Sequence, residues 1–264
     1  MIVDSTLFRI VLSLAVVYAA VGAFAWLISD RLIFLPPPPG YPDGPEILKV
    51  PTGDGQRIAA VYLINPSATY TLLLSHGNAE DLGSTMPLLA GLRDLGFSVF
   101  AYDYRGYGRS EGTPSEARVY ADIDAAYEHL VRELRVRPER IVAYGRSLGA
   151  GAAVDLAAHR RLGGLVLESP FLSAFRVMTR VSLFPVDKFR NSAKIGRVTC
   201  PVLIMHGEDD EIVPVWHGRR LFDLAPEPKM LATVPGAHHN DFVTVAGPRY
   251  ALALRDFEAR LRGH

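Results

Sequence analysis

The longest uninterrupted apolar stretch of the chain lies near its start, where residues 10–28 carry no charge. As a helix this run measures about 28 Å, against roughly 30 Å of hydrocarbon in a bilayer, so the pattern predicts a membrane-crossing helix within residues 1–30. A cleaved signal peptide is the alternative, because Ala23-x-Ala25 has the small residues of a cleavage site. The run continues through Trp26, Leu27 and Ile28, well past the roughly 7–15 apolar residues of a signal peptide, and Arg9 is the one basic side chain before it. A retained single-pass anchor is therefore the reading adopted. Arg9 and the amino group on one side face Arg31 on the other, so charge specifies sidedness weakly; the expectation is a short inside tail with the large domain on the extracytoplasmic side. Residues 31–45 follow as a proline-rich, extended and semi-rigid linker to a globular domain over residues 46–264.

Within that domain, short β-like runs alternate with helical patterns. Strands are predicted at residues 47–50, 58–64, 71–75, 98–102, 140–144, 164–167, 202–205 and 229–234. This alternation predicts an α/β fold with a mostly parallel eight-stranded sheet and helices on both faces. After Ser115-Glu116, the residues Val119, Ile123, Ala126, Leu130 and Leu134 recur at helical spacing, as in a helix covering a sheet. Residues 171–197 stand apart as an insertion carrying Phe171, Phe175, Met178, Phe184 and Phe189. Such a stretch reads first as core, but its place beyond a strand end also allows a small lid.

Composition narrows the classes of function. Lys plus Arg and Asp plus Glu each count 28, and a pI near 7.1 supplies no field for nucleic acid. The single cysteine, Cys200, stands before Pro201 at a strand entrance and reads as a buried structural thiol. His76, His206, Asp209, Asp210, His238 and His239 have no metal-ligand spacing, so no metal is expected.

The chemistry concentrates at residues 141–151, where an apolar strand runs into Gly145-x-Ser147-x-Gly149 and then into a small-residue helix. A serine exposed on a strained strand-to-helix turn needs neighbours without bulk, so Ser147 reads as a nucleophile. The N–H of Leu148, at the start of that helix, is a natural oxyanion donor. A second literal match, Gly108-Arg109-Ser110-Glu111-Gly112, lacks the strand before it and the apolar helix after it. The preceding segment, Asp103 to Ser110, reads as a structural loop whose arginine ties neighbouring turns together.

A serine needs a base held by a carboxylate, and this architecture orders them Ser, then Asp or Glu, then His. Asp210 is favoured over Asp209 and Glu168 by the Asp-x-x-Val-Pro spacing to Pro214, and His239 over His238 by its place before Asn240-Asp241. The second oxyanion donor should come from Ser75-His-Gly-Asn-Ala79, where Asn78 N–H is favoured with Ala79 as its rival and His76 reads as loop packing.

Together, Ser75-His-Gly-Asn-Ala, Tyr102-Asp-Tyr-Arg-Gly-Tyr-Gly-Arg-Ser, Gly145-Arg-Ser-Leu-Gly, Leu167-Glu-Ser-Pro-Phe, Pro201-Val-Leu-Ile-Met-His-Gly-Glu-Asp-Asp and Gly236-Ala-His-His-Asn-Asp carry a resemblance. From about Ile33 onward the chain resembles the α/β-hydrolase superfamily. It looks most like the membrane-anchored branch containing palmitoyl-protein depalmitoylases and their bacterial relatives. The resemblance implies Ser147, Asp210 and His239 as a triad in a catalytic domain. The chain departs from the family at His238, where glycine is usual, and lacks the N-terminal cysteine cluster of the animal enzymes. The expected activity is cleavage of small-molecule acyl esters or thioesters, lipid-like ones included, through an acyl-enzyme, without a cofactor. A peptidase on the same fold and a non-catalytic anchored scaffold are the rival expectations.

Overall fold

The computed structural model describes residues 5–179 and 187–263. Its strands are β1 (Leu48–Pro51), β2 (Arg57–Leu63), β3 (Thr71–Ser75), β4 (Ser98–Tyr102), β5 (Ile141–Arg146), β6 (Gly164–Glu168), β7 (Val202–Gly207) and β8 (Lys229–Val234). They form one 8-stranded sheet in the order β1-β2-β4-β3-β5-β6-β7-β8. β2 is antiparallel to both β1 and β4, and every other pair is parallel. The observed strands overrun the predicted ones at Gly145-Arg146, Glu168 and His206-Gly207. The apolar pattern stops there, but the parallel ladder continues through Arg146 opposite Glu168 and His206 opposite Thr233. Those polar overruns are the positions that reach the site.

The helices are α1 (Ser5–Ile33), α2 (Leu82–Asp94), α3 (Glu116–Arg132), α4 (Gly149–Ala157), α5 (Ala174–Thr179), α6 (Asn191–Lys194), α7 (Trp216–Leu224), α8 (Phe242–Ala246) and α9 (Pro248–Arg262). Alternate strand residues feed two cores. Leu73, Phe100, Ala143 and Ile204 pack with α3, α4 and α7, whereas Leu72, Val99, Val142 and Leu203 pack with α2, α8 and α9. With both faces covered, β3, β4, β6 and β7 are buried at every position, which explains their continuous apolar runs. Ser115 caps α3 by accepting the Arg118 N–H, and Val119, Ile123, Ala126 and Leu130 form its buried stripe.

α1 is long and apolar enough, by length and composition, to cross a membrane. Thr6 to Val21 are exposed, while Gly22 and Ser29 are buried and Ala25, Ile28 and Ile33 half-buried on the side facing the domain. The helix runs past the uncharged stretch to Ile33, and Phe34 is buried in the core. The proline-rich residues beyond are fastened down: Gly40 N–H donates to Asp81 at 2.5 Å, and the Tyr41 hydroxyl donates to Asp103. Of the insertion's aromatics, Phe171 and Phe189 are core and Phe175 is half-buried. Phe184 and the Met178 side chain lie outside the described residues, as does that part of the expected lid. Cys200 is buried, which pushes its thiol up to about 12.

Arg105, 3% exposed, ties turns together as the sequence suggested. Its Nε donates to Asp122 at 2.6 Å, its Nη1 to Asp54 and its Nη2 to the Arg118 carbonyl at 3.4 Å. Burial pushes the Asp122 carboxyl up to about 6 against the pull of those Arg105 contacts. Arg105→Ala strands that carboxyl, so unfolding in urea is expected to show a loss of about 3–5 kcal/mol; a loss below 1 kcal/mol would contradict this account.

Candidate active site

β5 ends in a turn where Ser147 takes a positive φ of 50°, a conformation costly for a residue with a side chain. Crowding explains its neighbours. A Cβ on Gly145 would stand 2.5 Å from the Gly149 carbonyl oxygen, and one on Gly149 only 2.0 Å from that of Ser75. Ser147 N–H donates to the Glu168 carbonyl at 2.9 Å, and Ala150 and Gly151 N–H groups donate back to Ser147 and Leu148. Leu148 N–H itself has no acceptor among the described residues, nor has Asn78 N–H across the gap. Ala79 N–H, by contrast, donates to Asn78 Oδ1 at 3.1 Å.

The loops after β7 and β8 converge on the serine. His239 Nε2 lies 2.9 Å from Ser147 Oγ and its Nδ1 2.7 Å from Asp210 Oδ2. Asp210 Oδ1 accepts the N–H groups of Ile212 and Val213 at 3.0 and 2.7 Å, which turns Oδ2 toward His239. Behind it His206 Nε2, 2.7 Å from the Val213 carbonyl, approaches Asp210 Oδ2 at 3.4 Å. Burial would raise the Asp210 pKa, but contacts with His206, His239 and Val213 N–H win and hold it well below the usual carboxylate range. With Nδ1–H given to an ionised carboxylate, the tautomer assigned to His239 offers an Nε2 lone pair to the serine hydroxyl.

The sequence rivals sit elsewhere. His238 is exposed, 3.1 Å from Glu211, and Asp209 is exposed. Ser110 Oγ accepts Ala59 N–H at 2.8 Å and donates to the Asp103 carbonyl at 2.7 Å, within a structural loop. His76 packs its ring on Tyr104 and Tyr107, with Nε2 3.3 Å from Asp103 but outside hydrogen-bonding geometry.

Glu168 braces the elbow rather than facing His239. Arg146 Nε donates to Glu168 at 3.0 Å and Nη1 donates to Glu80, whose other oxygen accepts Gly77 N–H at 2.7 Å. Tyr144, which also meets the Tyr250 hydroxyl, donates to Glu168. Sequence reasoning passed over Glu80 and Arg146; the available signal was a charged residue inside an otherwise small and apolar elbow.

Three comparisons bear on this geometry. The family described as "Serine aminopeptidase, S33" matches residues 66–191. Among solved structures, the Pyrococcus furiosus esterase Pf2001 superposes with a TM-score of 0.72 at 18% identity, covering 86% of this chain and 99% of that one. A Paleococcus ferrophilus monoacylglycerol lipase gives 0.62 at 23% identity, over 78% and 99%. The fold is that of the α/β-hydrolases, and the protein is a serine hydrolase. Alpha/beta hydrolase domain-containing protein 17B of Xenopus laevis is 38% identical over 88% of this chain and 91% of its own length. The human protein of that name is 38% identical over 87% and 90%. The chain belongs to this family of α/β-hydrolase domain-containing 17 proteins.

One histidine near the site sets a pH dependence. Burial first, then the neighbouring His206 and Arg176, push the His217 imidazole down to about 4, with Asp210 opposing. Its Nδ1 accepts Leu172 N–H at 3.2 Å, which requires the neutral ring. Between an unfolded value near 6.5 and the folded one, the unfolded chain binds a proton that the folded chain refuses, so stability falls as pH drops through that window. His217→Gln, which keeps an acceptor but takes no proton, is expected to show a smaller fall in Tm between pH 6.5 and 4.5 than the parent; equal falls would refute the assignment.

Proposed function

We propose that the protein cleaves acyl esters or thioesters through an acyl-enzyme on Ser147. The observation that carries this reading is the continuous hydrogen-bonded line from Ser147 Oγ through His239 to Asp210, at 2.9 and 2.7 Å. In this scheme His239 takes the Ser147 proton as the oxygen attacks the carbonyl carbon, then delivers it to the leaving alcohol or thiol. Asp210 orients the ring and stabilises the imidazolium. Leu148 and Asn78 N–H groups, both without acceptors among the described residues, hold the oxyanion. Water then repeats the sequence on the acyl-enzyme, with His239 as base, and releases the acid.

The resemblance to depalmitoylases and the apolar α1 favour a lipid-like acyl group. We read α1 as a retained single-pass anchor with a short inside tail and the catalytic domain on the extracytoplasmic side. The description of the matching family as aminopeptidases supplies a second reading, cleavage of aminoacyl amides.

Labelling the purified full-length protein with a fluorophosphonate and mapping the adduct by mass spectrometry tests the scheme. The adduct is expected on Ser147 and absent in Ser147→Ala. Ester turnover should fall roughly 10⁴-fold in His239→Ala or Asp210→Asn. An adduct on another residue overturns the assignment, and turnover of aminoacyl amides alone favours the peptidase.

A further inference from the structure

The Asn78 side chain points away from the oxyanion position and grips the end of α1. Its Nδ2 donates to the Ile33 carbonyl at 2.5 Å, while Oδ1 accepts Leu35 N–H at 3.0 Å, the Tyr107 hydroxyl at 2.7 Å and Ala79 N–H at 3.1 Å. The oxygen faces three donors and the nitrogen a carbonyl, so only this orientation of the amide satisfies its partners. Ile33 is the last residue of α1, and its carbonyl is one of those a helix leaves without an internal partner. Leu35 offers the last free N–H before Pro36 begins the proline run. Asn78 is thus a side-chain cap supplied to α1 by the oxyanion loop.

The helix end so gripped is itself docked. Lys188, 6% exposed, meets Asp30 at 3.2 Å and lies 4.7 Å over the Trp26 ring. Phe34 packs edge-on against Phe189 at 6.0 Å, and Phe189 N–H donates to Glu116 at 2.6 Å. On its other side the loop is held to the elbow through Glu80 and Arg146. Ala79, next to Asn78, sits at a positive φ of 56°, so the loop keeps a strained backbone that surrounding contacts must hold.

We propose that Asn78, through its side chain, is a positioning residue that makes the docked end of α1 part of the oxyanion site. The proposal rests on the reading of Ser147 as nucleophile and goes beyond it. The two oxyanion donors lie on separate loops, and their spacing must hold to a fraction of an ångström. The elbow donor is fixed by β5 and α4. The Asn78 donor is fixed from one side by Glu80 and from the other by α1.

The test uses the full-length protein in nanodiscs of zwitterionic lipid, with p-nitrophenyl butyrate as a soluble ester and hydrogen exchange of residues 76–81 as a second readout. Asn78→Ala keeps the backbone N–H and loses the grip. Its kcat is expected to fall about tenfold or more with KM within about twofold. Asp30→Ala, distant from the loop, should loosen α1 and produce the same signature with faster loop exchange. The double variant should be no slower than the slower single, because both act through one contact set. Wild-type loop exchange in both variants, or wild-type kcat in a folded Asn78→Ala protein, overturns the proposal. If the parent does not hydrolyse the ester yet its loop exchange still follows α1, the reading of the site fails and the coupling stands.

Discussion

Three backbones meet without a side chain between them where β3, the elbow and α4 come together. A methyl group at Gly149 would fall 2.0 Å from the Ser75 carbonyl oxygen, so this approach exists only because the residue is glycine. Ser147 holds its left-handed turn between the two glycines of that contact. The loop after β3 is thereby set directly beside the start of α4. The parallel order β5-β6-β7-β8 then delivers Asp210 and His239 from the same edge, since parallel strands end together.

Around this contact a chain of buried and half-buried charges sets position. Glu168 holds Arg146, Arg146 holds Glu80, and Glu80 holds Gly77 N–H. Pairs of this kind, with Glu168 buried and Arg146 and Glu80 half-buried, add little net stability, because desolvation offsets the attraction. What they add here is a direct tie between the elbow and the loop after β3. Asp103 does similar work on the outer side, accepting Leu82 N–H at 2.9 Å and the Tyr41 hydroxyl, so the chain leaving α1 is drawn onto the sheet edge.

The central strands β3, β4, β6 and β7 were legible because both sheet faces are covered there, which turns them into continuous apolar runs. The elbow was legible because its steric demand admits so few residue types. Asp210 and His239 could be ordered against their neighbours by spacing, but spacing does not describe loop conformation. His238 and His239 differ by one residue and point in opposite ways, one to solvent beside Glu211 and one to Ser147. Nothing in local composition announces that Asn78 would grip Ile33, or Lys188 reach Asp30, because those partners are far apart in sequence and meet only through the tertiary fold. Long-range polar contacts carry no periodicity.

A flexible tether raises the local concentration of an enzyme at a membrane and leaves its orientation free. The junction here has a different character. Trp26, Lys188 and Asp30 gather an amphipathic ring and a charge pair at one level of α1, the chemistry favoured at a bilayer boundary. Reading that level as the boundary leaves the uncharged stretch from Ile10 to Ala25, about 24 Å of helix, on the hydrocarbon side, with Arg9 at its far end. From Trp26 the helix rises about another 10 Å to Ile33, where Asn78 takes its carbonyl. The end of α1 is thus held to the domain at three places, by Asn78 on the Ile33 carbonyl, by Asn78 on Leu35 N–H and by Lys188 on Asp30, so the apolar helix and the loop after β3 are coupled by contacts and not by a free linker.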